Sequence, residues 1–217
     1  MKKILILAGL IIATLSTFAQ TTTFGLNAGV NLSKLTVSGN GASVSTQSLA
    51  GFHIGGVVDF GFNSFSIQPA LLFSTKGGKS NSTSSDGTST FTDNGKITLD
   101  YLELPVNFVY KVPAGSGKVF FGAGPYFGYG LSGKSSSHVS GTGIPTTDTN
   151  ANVTFGSGDN DVKNPDYGVD FLAGYELSQG FTINAGYSLG LANLANGSQG
   201  GTTKNQVISF SLGYFFK

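Results

Sequence analysis

YLELPVNFVYKVPAGSGKVFFGAGPYFGYGLSG, residues 101–133, reads as two strands joined by a tight turn. Leu102, Leu104, Val106, Phe108, Tyr110 and Val112 fall on one face of the first strand, and Glu103, Asn107 and Lys111 on the other. That is the period of two expected of a strand with one apolar side. Ala114-Gly115-Ser116-Gly117 supplies the turn chemistry. In the second strand Val119, Phe121, Ala123, Pro125, Phe127, Tyr129 and Leu131 lie opposite Gly122, Gly124, Tyr126, Gly128 and Gly130. Large apolar groups backed by glycine do not suit a water-soluble sheet, whose outer face carries Lys, Glu and Thr. They suit a wall with lipid outside and a cramped lumen inside.

The rest of the chain extends this pattern. Its 217 residues allow one domain of moderate size. Charged residues make up only 11%, against 33 glycines, 18 phenylalanines and 8 tyrosines. With no cysteine there is neither a disulfide nor a thiolate metal site. A net charge of +1 leaves no electrostatic footprint for nucleic acid. A hydrophobic content of 39% argues against disorder. Residues 1–19 have the layout of a signal peptide: Lys2 and Lys3, an apolar run from Ile4 to Leu15, and Thr17-Phe18-Ala19 before the expected cut at Gln20. That run is short of the roughly 20 residues a spanning helix needs. The expected mature domain is 20–217.

Eight strands are expected, with the central hairpin forming the fourth and fifth. The first runs from Thr23 to Leu32, the second from Leu49 to Phe60, and the third begins at Phe65. The sixth, seventh and eighth begin near Tyr167, Phe181 and Ile208. Between them lie polar stretches read as loops (Leu35–Gln47, Gly77–Gly95, Ser132–Asn164 and Ala195–Thr203) alternating with short turns. Long and short connections in strict alternation are the plan of an outer-membrane barrel. Aromatic residues gather at both strand ends. Phe24, Phe60, Phe65, Tyr110, Phe121, Tyr175, Phe181 and Phe216 mark the turn side, and Phe52, Phe73, Tyr129 and Tyr167 the loop side, as interfacial girdles would. Ile97 and Leu99 sit out of phase with Leu102, which predicts a bulge near Tyr101. The fold class expected is all-β: an eight-stranded antiparallel up-and-down transmembrane β-barrel. A soluble barrel would also alternate, but its polar face would carry more charge than these Gly, Ser and Asn positions do.

YLELPVNFVYKVP (101–113) followed by GKVFFGAGPYFGYGLSG (117–133) resembles the outer-membrane β-barrel family of Bacteroidetes described as PorT-like or "porin family". The closing NQVISFSLGYFFK (205–217) is similar to its final strand. The resemblance implies an eight-stranded barrel in the outer membrane and no particular activity.

Three motifs point elsewhere, and each lacks its structural context. GYGLSGKS (128–135) matches the phosphate-loop pattern, which requires a following helix, yet SSHVSGTGIP follows. GYSLG (186–190) matches the nucleophile elbow, which requires a strand-to-helix turn, yet it lies inside a strand. In a barrel, its Ser188 and His53 would both face the lumen from nonadjacent strands. Asp159, Asn160, Asp161, Asn164 and Asp166 offer oxygen ligands without the spacing of a calcium loop. No catalytic, cofactor-binding or metal residue is therefore assigned, and no cofactor is expected.

The residues singled out are lumenal and structural: His53, Asp59, Gln68, Glu103, Asn107, Lys111, Asp170, Glu176 and Asn184. Asp59, Lys111, Lys118 and Glu176 are expected near the periplasmic end, and His53, Glu103 and Asp166 near the outer end. Buried charges must be paired, so ion pairs are expected across the interior. The functional expectation is a structural or surface-interaction role through the extracellular loops, without catalysis. A small pore is the alternative, favoured by the glycines of the fifth strand, and a lipid-modifying enzyme comes third. Expected partners are outer-membrane lipid, the barrel-assembly machinery and an extracellular ligand or protein met by the loops. The chain is expected to be a monomer.

Overall fold

The computed structural model describes residues 21–39, 41–158, 161–196 and 201–216, so the stretch read as a signal peptide lies outside the described residues. Among the described residues there are ten strands: β1 (Thr21–Gly39), β2 (Ala42–Ser45), β3 (Leu49–Phe62), β4 (Phe65–Ser85) and β5 (Thr90–Ala114), then β6 (Gly117–Gly141), β7 (Ile144–Val153), β8 (Asp166–Leu177), β9 (Phe181–Gly190) and β10 (Thr202–Phe216). All pair antiparallel in the order β10-β9-β8-β6-β5-β4-β3-β1, and β1 pairs back to β10 to close a ring of eight. Closure leaves no unpaired edge within the membrane, where an unpaired backbone group would cost several kcal/mol. The remaining two strands, β2 and β7, hang on β1 and β6 outside the ring.

Side-chain parity follows the expected alternation. Leu26, Leu71, Phe108, Ile183 and Leu212 are each more than half exposed on the outer wall, where lipid rather than water stabilises them. The turn-side girdle shows as ring contacts between neighbouring strands: Phe65 with Tyr110 at 4.8 Å, and Phe181 with Tyr214 at 4.7 Å. Phe60 departs from the expectation. Between Val57 and Phe60 the pairing of β3 with β4 lapses, and Asp59 and Phe60 are both buried. The short turns use left-handed backbone where the two-residue hairpin demands it, at Asn63 (φ 56°) and Gly115 (φ 60°).

Three of the stretches expected to be loops are largely strand. β4 and β5 run on as a hairpin from Lys79 paired with Lys96 to Ser85 paired with Thr90. Most of Ser132–Asn164 is the end of β6 and the returning β7, and Leu35–Gln47 holds the end of β1 and β2. Ser, Thr and Asn disguised these ribbons, because a strand with water on both faces has no hydrophobic period to reveal it. At the tip between β4 and β5 the Asp86 carboxylate accepts the Ser89 and Thr88 amides at 2.8 and 3.0 Å, which holds its pKa below the ordinary value.

The irregularity expected near Tyr101 is present, on the opposite strand. Asp100 pairs with Ser132 and Tyr101 with Gly130, so the extra residue is Leu131 of β6. β5 keeps its alternation throughout. Leu99 and Tyr101 are buried on the same inward face as Glu103. Ile97 and Leu99 looked out of phase because the interior turns apolar at that height.

Candidate functional site

The lumen is filled in tiers, and the inward residues of β5 measure its depth. At the outer mouth Leu35, Ala192 and Leu194 form a buried cluster with Ile97 and Val162 packed against it. The loop segments around Val162 and Leu194 cross the mouth and are stitched together by backbone bonds, Lys163 N to Leu194 O at 2.9 Å and Leu194 N to Thr203 O at 2.8 Å. Phe155 lies edge-on to the Tyr101 ring at 5.7 Å.

Beneath this lid lies the outer charge network. Lys76 pairs with Glu103 and reaches Asp166 at 3.5 Å, and its ammonium sits 4.3 Å from the centroid of the Tyr126 ring. Asp166 is fully buried, and its Oδ2 also accepts the Asn205 amide at 2.9 Å and the Tyr126 hydroxyl at 3.3 Å. Of these, Lys76 and Asn205 escaped the sequence reading. Lys76 was findable: it continues the even-numbered inward positions Ser66, Gln68, Ala70 and Ser74 of β4.

At mid-height a cavity of about 100 Å³ is lined by Asn27, Asn31, His53, Asn107, Asp170 and Asn184 among others. A second of about 60 Å³ touches Gln68, Asn107, Glu176 and Asn184. Both volumes suit water, which needs about 10–15 Å³ per molecule and polar partners. At the periplasmic end Lys111 pairs with Asp59 and, at 2.9 Å, with Glu176. The Phe215 ring lies 5.4 Å from its ammonium. Lys118 stays exposed at the rim, cross-strand from Glu176. The structure therefore places all nine singled-out residues inside the barrel. It joins Asp59, Lys111 and Glu176 in one network, puts Glu103 in another, and sets His53, Asn107, Asp170 and Asn184 around one cavity.

The lumenal glycines do not leave a bare wall. A side chain at Gly29 would meet the His53 ring, and one at Gly25 would come within 2.7 Å of the Phe215 ring. One at Gly168 would come within 2.6 Å of Tyr126, and one at Gly174 within 2.6 Å of Phe120. Phe155 covers Gly130 in the same way. Each of these glycines lies under a ring, the arrangement in which an aromatic shields a strand glycine, and at Gly29, Gly168 and Gly174 a Cβ would also strike a carbonyl of the neighbouring strand. At Gly124 no ring is involved: a Cβ there would strike the Val106 carbonyl and the backbone of Asn107.

The two catalytic candidates are not paired. His53 Nδ1 lies 2.8 Å from Asn31 Oδ1, and the Ser211 hydroxyl lies 3.0 Å from His53 Nε2. Ser188 stands instead beside Asp170. The Ser211–His53–Asn31 chain has the connectivity of a nucleophile, base and orienter. Ser211, however, is in mid-strand, where the neighbouring amides are spent in the ladders to β1 and β9 and none is left to stabilise an oxyanion. Asn31 is held by Ser74 Oγ at 3.1 Å and the Thr75 carbonyl at 3.2 Å, so the chain locks β1, β3, β4 and β10 together. Residues 128–135 lie in β6, with no helix following. The calcium candidates are dispersed: Asp161 accepts the Gly158 amide, Asn164 clasps the backbone of Gly130, Asp166 is in the lumen, and Asp159 and Asn160 lie outside the described residues.

A closed antiparallel ring with an apolar outer wall and a polar filled interior defines an integral β-barrel. The outer membrane protein beta-barrel domain family matches residues 18–196, and the chain belongs to that family. No curated protein matches it. Among solved structures it is similar to Neisserial surface protein A, at 12% identity over 91% of this chain and 100% of that one, with a TM-score of 0.43. It is also similar to Ail, the attachment invasion locus protein of Yersinia pestis, at 12% identity over the same shares with a TM-score of 0.41. The outer membrane protease OmpT of Escherichia coli follows at 13% identity over 89% of this chain and 97% of that one, with a TM-score of 0.29.

Proposed function

We propose that this barrel is neither an enzyme nor a pore but a scaffold that carries an extracellular sheet for surface interaction. One observation carries the reading. β4, β5, β6 and β7 continue past the apolar wall as a paired sheet of Ser, Thr and Asn, while the lumen beneath is capped at its mouth, crossed by two charge networks and left with cavities of only about 100 and 60 Å³. Within that sheet Asn81, Asn94, His138 and Asp148 stand directly opposite one another in a row across the four strands. His138 Nδ1 lies 2.6 Å from Asp148 Oδ1. Ordered amides and hydroxyls on a fixed backbone suit a polar extracellular partner better than a mobile loop does, since less side-chain freedom is lost on binding. The finer resemblance to PorT-like barrels of Bacteroidetes is compatible with this role and assigns no other.

The pore is the reading to exclude. Eight strands enclose an interior that side chains just fill, whereas aqueous channels appear at about 16–18 strands. Purified protein in a planar bilayer is expected to give no long-lived conductance steps. Reproducible steps of general-porin size would overturn the proposal.

A further inference from the structure

The chain has 12 basic residues, all lysine. Five of them, Lys34, Lys79, Lys96, Lys134 and Lys204, share one placement. Each lies on the outward parity of its strand, beyond the apolar wall at the extracellular end. Lys34 follows Leu32 on β1, and Lys204 precedes Ile208 on β10, both leucine and isoleucine being outward-facing. On β4 and β5, Lys79 and Lys96 stand six residues beyond the outward pair Phe73 and Leu102. Past the bulge at Leu131, Lys134 pairs with Thr98, which shares the outward parity of Leu102.

These lysines are arranged as neighbours. Lys79 and Lys96 are directly opposite in the ladder, and Lys134 is diagonal to Lys96. Around the ring, Lys34 pairs with Gln206 and Lys204 with Thr36, which makes those two lysines diagonal as well. Like charges directly opposite destabilise a sheet. No ion-pair partner for any of the five exists among the described residues, where the salt bridges belong to Lys76, Lys111 and His138. The outward carboxylates nearby are already engaged. Asp100 accepts the Thr75 and Ser132 hydroxyls at 3.0 and 2.9 Å, and Asp148 holds His138. The interior shows the opposite balance, with Asp59, Glu103, Asp166, Asp170 and Glu176 around Lys76 and Lys111.

We infer that these five lysines form a collar that binds the phosphate groups of outer-leaflet glycolipid. The collar continues the lipid-facing wall, so the molecules nearest to it are the headgroups of the lipids that wall already touches. At about 3.3 Å per residue and a tilt near 40°, the lysines span heights of roughly 5 to 15 Å above the last apolar positions. That range suits a headgroup carrying phosphates at more than one depth. A phosphate between Lys79 and Lys96 also removes the repulsion built into their pairing.

The test uses the full chain, folded in detergent, mixed with bis-phosphorylated lipid A or its dephosphorylated form and read by native mass spectrometry. The wild type is expected to retain the phosphorylated lipid at least about tenfold better. Replacing all five lysines by glutamine should abolish that preference, while Lys118→Gln, at the periplasmic rim, should leave it intact. A heat-induced gel shift confirms that each variant is folded; Lys79, Lys96 and Lys134 are exposed and Lys34 and Lys204 half-buried, so a threefold variant of the exposed lysines, expected to lose most of the preference, serves if the fivefold one fails to fold. Equal retention of both lipids by the wild type, or an undiminished preference in the fivefold variant, overturns the collar. Displacement of the lipid by inorganic phosphate would show a free-anion site and overturn the lipid assignment. None of these outcomes bears on conductance, so the collar and the scaffold reading fail separately.

Discussion

Lys76 and Lys111 each face two carboxylates inside the same barrel, but at opposite ends and under different conditions. The outer lysine is 2% exposed, with aromatic rings from Tyr101 and Tyr126 beside it and the apolar lid above. The inner lysine and its partner Asp59 are each 11% exposed at the periplasmic mouth. The same charge pattern therefore does different work. Above, Lys76 and Asp166 are cut off from water, and Glu103, 12% exposed, opens only onto the mid-height cavity it lines. Below, Lys111, Asp59 and Glu176 each keep about a tenth of their surface exposed, the cation included. The contrast lies in the two cations: the outer one has no access to water and the inner one has some.

The largest expected effect follows from removing the outer cation. Lys76→Met leaves Glu103 and Asp166 buried without a counter-ion and should cost about 3–5 kcal/mol. Urea unfolding of the barrel in lipid vesicles, followed by the gel shift between folded and unfolded forms, measures it. Lys111→Met removes the equivalent cation where water reaches the carboxylates, and about 2 kcal/mol is expected. Equal losses for the two variants would break the comparison and mean that the lid does not exclude water. The smallest effect sharpens it. Asn205→Ala withdraws one donor from Asp166 and should cost about 1 kcal/mol. Because Asn205 and Lys76 share Asp166, the double variant with Lys76→Met should not be additive. Strict additivity would show that Asp166 does not couple them.

Legibility differed between these networks for a concrete reason. Asp59, Lys111 and Glu176 sit in strands whose outer faces are strongly apolar, so their inward parity could be read directly. Lys76 lies where β4 leaves the apolar wall and its neighbours become Gly, Lys, Ser and Asn, so the periodic signal ends just before it. The extracellular ribbons were missed on the same ground. Phe155, Ala192 and Leu194, which help to close the mouth, lie in segments with no period, and nothing local marks them as a lid.

The sequence by itself determined the class of fold, the number of ring strands and which face of each strand meets lipid. Those properties depend on a period of two along a single strand and on the alternation of long and short connections. Only the tertiary structure decided which groups meet. Lys76 with Glu103 and Asp166, Ser211 with His53, and each ring with its glycine are contacts across strands. They are set by the stagger of the closed ring rather than by any local pattern. The bulge shows the division plainly: Ile97 and Leu99 looked out of phase because the interior turns apolar there, and only the pairing located an extra residue, Leu131 of β6. A period fixes a side chain's face, and its partner follows from the registers of all eight strands around the circle.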